Sequence, residues 1–248
     1  MKIPRFYQAL DLQTGKQLEL SAVNHRHAIQ VLRLQAGDPL ILFNGEGGEY
    51  LARITNIQKR KSHVVLESFD SVDRESGLHS CVVVAMIKPE KMDFAIQKMV
   101  ELGVSKIQPV YTKRSVIKIK TNRLEKKMSH WRGIIIAACE QSGRTLLPEI
   151  AEPLKLPDYL QNQSSDTHAN SFVMLPGDHA SFTQIEKPLS SISLLIGPEG
   201  GFTPEEEKQI QDRGVTAISF GKRILRAETA AISCLTACQL LWGDLTKK

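Results

Sequence analysis

Leu194-Leu195-Ile196-Gly197-Pro198-Glu199-Gly200-Gly201-Phe202 is an apolar strand running into a glycine-rich turn, after which Thr203-Pro204 opens a helix. Downstream, Ser219-Phe220-Gly221-Lys222-Arg223-Ile224-Leu225-Arg226-Ala227-Glu228-Thr229-Ala230-Ala231 repeats the plan of strand end, turn and helix start. Two such units set two backbone-rich loops side by side. In an open α/β sheet, small ligands bind there, beyond the carboxyl ends of the strands. The glycines of the first loop let the backbone pass close to a ligand and adopt positive φ. The helix start at Thr203 points N–H groups toward the same region. Taken alone, that loop is equally well read as a plain strand-to-helix link. The second loop adds Arg223, Arg226 and Glu228 at a junction between a buried strand and an apolar helix. A surface salt-bridge cluster there has little energetic worth, and the setting favours a functional reading. Arg226 suits a clamp on phosphate or carboxylate, or stabilisation of negative charge on a carbonyl oxygen.

Working outward, strands and helices alternate. Residues 80–87 form a continuous apolar run, as in a strand buried on both faces. Residues 91–102 are helical, with Met92, Ile96, Met99 and Val100 on one face and Gly103 as a stop. A strand over 106–111 precedes a long helix over 122–140, with Asn122 and Glu125 as its cap pair. A polar loop covers 161–170, and further strands cover 171–175, 191–196 and 215–220. Thr203 caps a helix with Pro204 first, Glu206 at the capping-box position and Gly214 as its end. The last helix, 228–242, is apolar on nearly every face, which suits deep burial or a subunit interface. The alternation predicts an α/β fold with a mostly parallel sheet.

The first residues read differently. Short apolar runs at 18–20, 39–43, 49–54 and 63–66 are separated by turn residues, with Asn44-Gly45-Glu46-Gly47-Gly48 as a hairpin signal. One short helix over 24–33 interrupts them. Small strands plus a helix suggest a compact barrel. The polar stretch 70–79 marks the boundary, so the domains are expected at 1–70 and 75–248.

The chain has 248 residues, 42% hydrophobic and 24% charged, with a net charge of +5 and a pI near 9.0. Those values argue against disorder and permit, without requiring, a nucleic-acid partner. The N-terminus lacks a signal-peptide core and no apolar run reaches membrane-spanning length, so a cytoplasmic protein is expected. Cys81, Cys139, Cys234 and Cys238 lie in apolar segments, have no zinc-site spacing, and read as buried thiols. The histidines show no metal pattern, so no metal is expected.

No G-x-x-x-x-G-K-[ST] occurs, and no G-x-G-x-x-G follows a strand, which disfavours a P-loop ATPase and an ordinary dinucleotide site. Basic residues gather at Arg5, Arg26, Arg33 and 59–61, and again at Lys113, Arg114, Lys118, Lys120, Arg123, Lys126 and Lys127. They read as solvated faces or as a track for a phosphate backbone. Arg144 ends the long helix, where it complements the helix dipole.

These residues resemble the ribosomal RNA small subunit methyltransferase E family, a branch of the SPOUT superfamily of S-adenosylmethionine-dependent RNA methyltransferases. The likeness rests on residues 195–201 and 221–230, on Ile3-Pro4-Arg5-Phe6, on 27–43, on 91–103 and on 137–144, and so covers essentially the whole chain. It implies a PUA-like RNA-binding barrel followed by a SPOUT domain with a deep trefoil knot, a homodimer, and methylation of uridine N3 in the decoding region of 16S ribosomal RNA. The implied cofactor contacts are Leu175 and Pro176 in one loop, Ile196, Gly197, Pro198, Glu199, Gly200 and Gly201 in the next, and Phe220, Gly221, Ile224, Leu225 and Arg226 in the third. Phe220 stands where the family pattern has an aliphatic residue. The expected RNA contacts are Arg5, Arg26, Arg33, Lys113, Arg114 and Arg144.

Uridine N3 must lose a weakly acidic proton before it can attack in line with the methyl-sulfonium bond. Arg226 is expected to stabilise negative charge on the uracil carbonyls. Glu199, Glu228 or a water takes the proton. Competing readings are a transfer-RNA methyltransferase of the same superfamily, a non-catalytic RNA-binding assembly factor, and a generic α/β ligand-binding protein.

Overall fold

Residues 3–162, 170–185 and 189–246 are described by the computed structural model. They fall into two units, Met1–Glu75 with Ile136–Leu147, and Ser76–Ile135 with Pro148–Lys248.

In the first unit, β1 (Arg5–Tyr7), β2 (Gln17–Glu19), α1 (Ala22–His25), β3 (Pro39–Phe43), β4 (Glu49–Ile57) and β5 (Ser62–Asp70) follow in chain order. The sheet order is β1-β3-β4-β5-β2. β1 runs parallel to β3, and the other pairs are antiparallel. Alternation drives the pattern: Val64 and Leu66 of β5 turn inward with Leu40, Leu42, Ala52 and Ile54, onto a core shared with Phe6, Leu20 and Ala28. The hairpin signal at 44–48 joins β3 to β4. Gly48 there is obligatory, because it sits at φ +66° and an added Cβ would lie 2.4 Å from the Phe69 ring and 2.7 Å from the Asp70 carbonyl. The helix expected over 24–33 is instead a single α turn followed by a π segment, Arg26–Val31, in which Leu32 N–H reaches His27 O at 2.9 Å. Arg33 then takes φ +58°, the one non-glycine in that region among the described residues.

Residues 136–147 group with the first unit, and buried polar bonds tie them there. Arg5, with its side chain 5% exposed, pairs with Glu49 at 2.8 Å and donates to the carbonyls of Cys139 at 2.9 Å and Arg144 at 3.2 Å. Its guanidinium also lies 4.8 Å from the centroid of the Phe43 ring. Tyr7 N–H donates to Glu140 Oε1 at 2.9 Å, and burial pushes that carboxyl above its usual range. Arg144 is buried and paired with Glu75, with Nε to Oε2 at 2.9 Å. Arg5 and Arg144 are therefore buried ion-pair partners in this unit. A buried guanidinium without a carboxylate is costly, so both are committed inside this unit.

The second unit contains β6 (His79–Ala85), α2 (Pro89–Glu101), β7 (Lys106–Tyr111), the larger part of α3 (Thr121–Ser142), β8 (Glu149–Ile150), β9 (Leu154–Lys155), α4 (Leu156–Asn162), β10 (Ser171–Met174), a 3₁₀ turn Phe182–Gln184, β11 (Ser191–Ile196), α5 (Pro204–Gln211), β12 (Thr216–Ile218) and α6 (Ala227–Leu241). Its sheet runs β12-β10-β11-β6-β7-β8, with β9 beside β7, and every pair is parallel. Ile192 through Ile196 are all buried. Successive side chains point to opposite faces, so this strand is covered on both. α6 packs against α2, β6 and β11, which accounts for its apolar surface. Helix α3 starts at Thr121, so Asn122 lies inside its first turn and is not the cap. Asp93 of α2 accepts from His130 at 2.7 Å, Lys127 at 3.1 Å and Trp131 at 3.2 Å. Burial pushes its carboxyl up, but the His130 and Lys127 bonds outweigh this and hold it below the usual range. Burial also pushes the Cys139 and Cys234 thiols up to about 12, in keeping with inert core cysteines. Residues 163–169 of the expected polar loop lie outside the described residues.

Two stability predictions follow. Glu49→Ala leaves the buried Arg5 uncompensated and lowers unfolding free energy by about 3–5 kcal/mol, read from urea unfolding; Glu19→Ala, which breaks an exposed pair with Lys61, costs under about 1 kcal/mol. Thr203→Ala removes the α5 cap, in which Glu206 N–H reaches Thr203 Oγ1 at 3.3 Å, and costs about 1 kcal/mol by the same measurement.

Candidate functional site: a cavity at the strand ends

β10 lies between β11 and β12, and its Val173 is level with both Leu195 and Ala217. All three strands run the same way, so their following loops leave one edge of the sheet together. They enclose a cavity of about 340 Å³, inside the range for small-molecule sites. The β10 loop contributes Leu175 and Pro176. The β11 loop contributes Ile196, Gly197, Pro198, Glu199, Gly200 and Gly201, together with Phe202. The β12 loop contributes Phe220, Gly221, Ile224, Leu225 and Arg223. Ala227 and Ala230 of α6, Glu207 of α5 and Arg114 complete the wall. Arg223, expected in this loop, lies in the wall; the sequence did not point to Glu207 or Arg114 there.

The β11 loop owes its shape to its glycines. Gly201 N–H closes a turn onto Pro198 O at 2.8 Å, and Gly201 itself takes φ +69°. A Cβ on Gly197 would lie 3.1 Å from the Phe202 ring, which is tighter than ordinary contact. α5 then begins with a reciprocal cap: Thr203 N–H donates to Glu206 Oε2 at 2.9 Å, and Glu206 Oε1 accepts from Lys113 N–H at 2.7 Å. The expected capping box is thus present, with a further partner supplied by the segment after β7. Leu175, Ile196 and Leu225 give apolar wall, and glycine backbone gives close approach; Glu199, Glu207, Arg114 and Arg223 add charge at its edge.

The three residues expected to act in chemistry have different fates. Glu199 is exposed, lines the cavity and accepts weakly from Lys88 N–H at 3.4 Å. Arg226 caps α6 with φ −67° and ψ 154°; its side chain is exposed and lies outside the lining, between the lining residues Leu225 and Ala227. Glu228 is buried in the first turn of α6, pairs with Lys91 at 3.2 Å and does not line the cavity. Of the expected RNA contacts, Arg26, Arg33 and Lys113 are exposed. Arg114 is exposed too, but its guanidinium is bonded to the β11 loop. No helix among the described residues is long and apolar enough to cross a membrane, and none of their His, Cys, Asp and Glu side chains form a metal-binding group.

Comparison with known proteins gives the geometry its context. Residues 74–239 match the RNA methyltransferase domain family, and residues 25–67 match the RNA methyltransferase PUA domain. The chain is 35% identical to ribosomal RNA small subunit methyltransferase E of Buchnera aphidicola subsp. Schizaphis graminum, over 99% of both proteins. It is also 35% identical to that of Rickettsia conorii, over 97% of both. The Neisseria gonorrhoeae ribosomal RNA small subunit methyltransferase E, solved with S-adenosyl methionine, superposes with a TM-score of 0.91 at 35% identity, covering 99% of this chain and 100% of that one. A Legionella pneumophila methyltransferase in complex with SAM gives a TM-score of 0.94 at 37% identity, with the same coverage. A PUA domain ahead of a parallel α/β sheet whose loops close a cavity, matched over its full length by these relatives, belongs to the ribosomal RNA small subunit methyltransferase E family.

Proposed function

We propose that this chain transfers a methyl group from S-adenosylmethionine to N3 of one uridine in the decoding region of 16S ribosomal RNA. RNA methyltransferase chemistry and its S-adenosylmethionine donor go with the family; the target atom and its position are the finer reading. The cavity carries the proposal. It joins three loops, offers apolar walls for a nucleoside-like group, and has glycine backbone where a side chain would intrude. That surface fits S-adenosylmethionine, which when bound supplies a methyl group on a cationic sulfur. Residues of the three loops would hold it, with Leu175, Ile196 and Leu225 against its apolar parts.

The chain's own charges do the rest. Arg226, exposed between two residues of the wall, stabilises negative charge on the uracil carbonyls as N3 loses its proton. Glu199, exposed and part of the wall, takes that proton directly or through a water. Glu228 is assigned to structure, because Lys91 and the start of α6 already engage its carboxylate. A Watson–Crick-edge atom is reached only if the base is unpaired or flipped out. Arg26, Arg33 and Lys113 bind the RNA backbone, where each neutralised phosphate adds salt dependence. The same proposal includes the deep trefoil knot of the SPOUT fold and a homodimer, with Leu240, Leu241 and Leu245, each nearly half exposed, available to a second copy. It also places the protein in the cytoplasm, where ribosomal RNA is processed.

Two experiments test this reading. Labelled methyl transfer from S-adenosylmethionine to isolated, unmodified small subunits is expected to yield N3-methyluridine in 16S RNA. Label on transfer RNA, a ribose-methyl product, or RNA binding with no transfer overturns it in favour of a different enzyme or a non-catalytic factor. Arg226→Ala is expected to lower kcat about 10²–10³-fold, as loss of one charge-stabilising donor does, with donor affinity retained. Near-normal turnover sinks the charge-stabilising role.

A further inference from the structure

Arg114 stood among the expected phosphate contacts, yet its guanidinium is already engaged. Nη1 donates to Gly200 O at 2.7 Å and to Phe202 O at 3.0 Å. Its stem lies against the same loop, since a Cβ on Gly200 would meet Arg114 Cδ at 3.4 Å and Cβ at 3.5 Å. One charged donor bridging two carbonyls two residues apart fixes the bend between them. That bend carries Gly201 at φ +69° and sets the Phe202 ring against Gly197.

The segment bearing Arg114 is itself firmly held. Thr112 and Ser115 are buried, and they bond through Thr112 N–H to Ser115 Oγ at 3.1 Å, through their hydroxyls at 2.9 Å, and through Ser115 N–H to Thr112 O at 3.2 Å. Between them, Lys113 N–H donates to the buried Glu206 at 2.7 Å. This tight turn therefore grips both the β11 loop and the start of α5. Directly after it come the exposed Lys118, Lys120, Arg123 and Lys126. A rigid turn thus stands between a basic surface and one wall of the cavity.

The geometry assigns Arg114 as a positioning residue: it holds the β11 loop in its donor-binding shape and couples RNA engagement at residues 118–126 to donor affinity. This rests on reading the cavity as the S-adenosylmethionine site. Coupling of this kind is reciprocal, so RNA tightens donor binding by the factor by which donor tightens RNA binding.

The test uses the full chain, labelled S-adenosylhomocysteine as a donor-site probe that cannot transfer, and isolated unmodified small subunits. Wild type is expected to bind the probe more tightly when subunits are present. Arg114→Ala is expected to weaken probe binding and raise the KM for S-adenosylmethionine about tenfold or more, the scale of lost charged hydrogen bonds. Its kcat at saturating donor falls far less, and the gain in probe affinity from subunits disappears. Arg114→Lys, which restores a cationic donor, recovers part of the affinity; thermal melting of both variants separates this from unfolding. The proposal is overturned if Arg114→Ala keeps wild-type probe affinity while RNA affinity drops, the signature of a plain phosphate contact. It is overturned equally if wild type shows no coupling. Wild type failing to bind the probe at all instead removes the donor-site reading itself.

Discussion

Parallel pairing of β10 with both β11 and β12 is the constraint from which the site follows. Neighbouring strands stand about 4.8 Å apart, so three loops leaving one sheet edge start within about 10 Å of each other. No loop needs to reach far to touch the next. The register makes the three ends level, and a cavity forms between loops that are distant in sequence. β10 and β11 are mostly buried, which fixes the edge in place and leaves conformational freedom to the glycines in the turns. Function is thereby built on a rigid edge with a small number of adaptable backbone positions.

Such an edge exposes many backbone groups that need partners, and the chain answers with carboxylates placed at helix starts. Glu206 serves two N–H donors, one in its own cap and one from the segment after β7. A carboxylate buried to this degree is tolerated because its lone pairs are occupied by charge-assisted bonds. The first unit applies the same chemistry with guanidinium groups: Arg5 and Arg144 are inside because Glu49, Glu75 and backbone carbonyls meet them there. Both units use buried charge to fix where segments meet, while apolar area supplies most of the driving force.

What the sequence disclosed follows from how local each signal is. The strand at 191–196 and the cap of Thr203, Pro204 and Glu206 are found as read, because apolar runs and caps act within a few residues. The glycine loops likewise pointed to the cavity, since a turn needing positive φ names its residue. β1 was missed: its three residues pair with a strand more than thirty positions away, and no local pattern announces that. The two-residue strands β8 and β9 are too short to carry a period. The helix over 24–33 was legible as a helix, but its shift to π pairing was not. Arg5 and Arg144 read as surface charges because their acidic partners, Glu49 and Glu75, come from other segments. Residues 136–142 continue α3 without a break in composition, so nothing local marks the grouping of 136–147 with the first unit. In the site, Arg114 was missed for the same reason as β1: the segment that carries it arrives through tertiary packing.

The start of α6 shows why Arg226 draws attention on physical grounds. A helix N-terminus carries partial positive charge, which favours carboxylates and disfavours cations by roughly 0.3–1 kcal/mol. The chain obeys this rule at α5, whose first turn holds Glu205, Glu206 and Glu207, and at Glu228, which is drawn inward to Lys91. Arg226 breaks it, two residues from Glu228, with no side-chain bond to the cap. A cation kept at the positive end of a helix, beside a cavity wall, is stabilised most when negative charge arrives next to it. In the reaction proposed above, the uracil ring would acquire such charge as N3 is deprotonated, and the local cost in the resting protein would become attraction at that step. The same arrangement gives a neutral ground-state base much less. Under that proposal, helix and guanidinium together would favour the deprotonated base over the protonated one, the discrimination that methyl transfer to N3 requires.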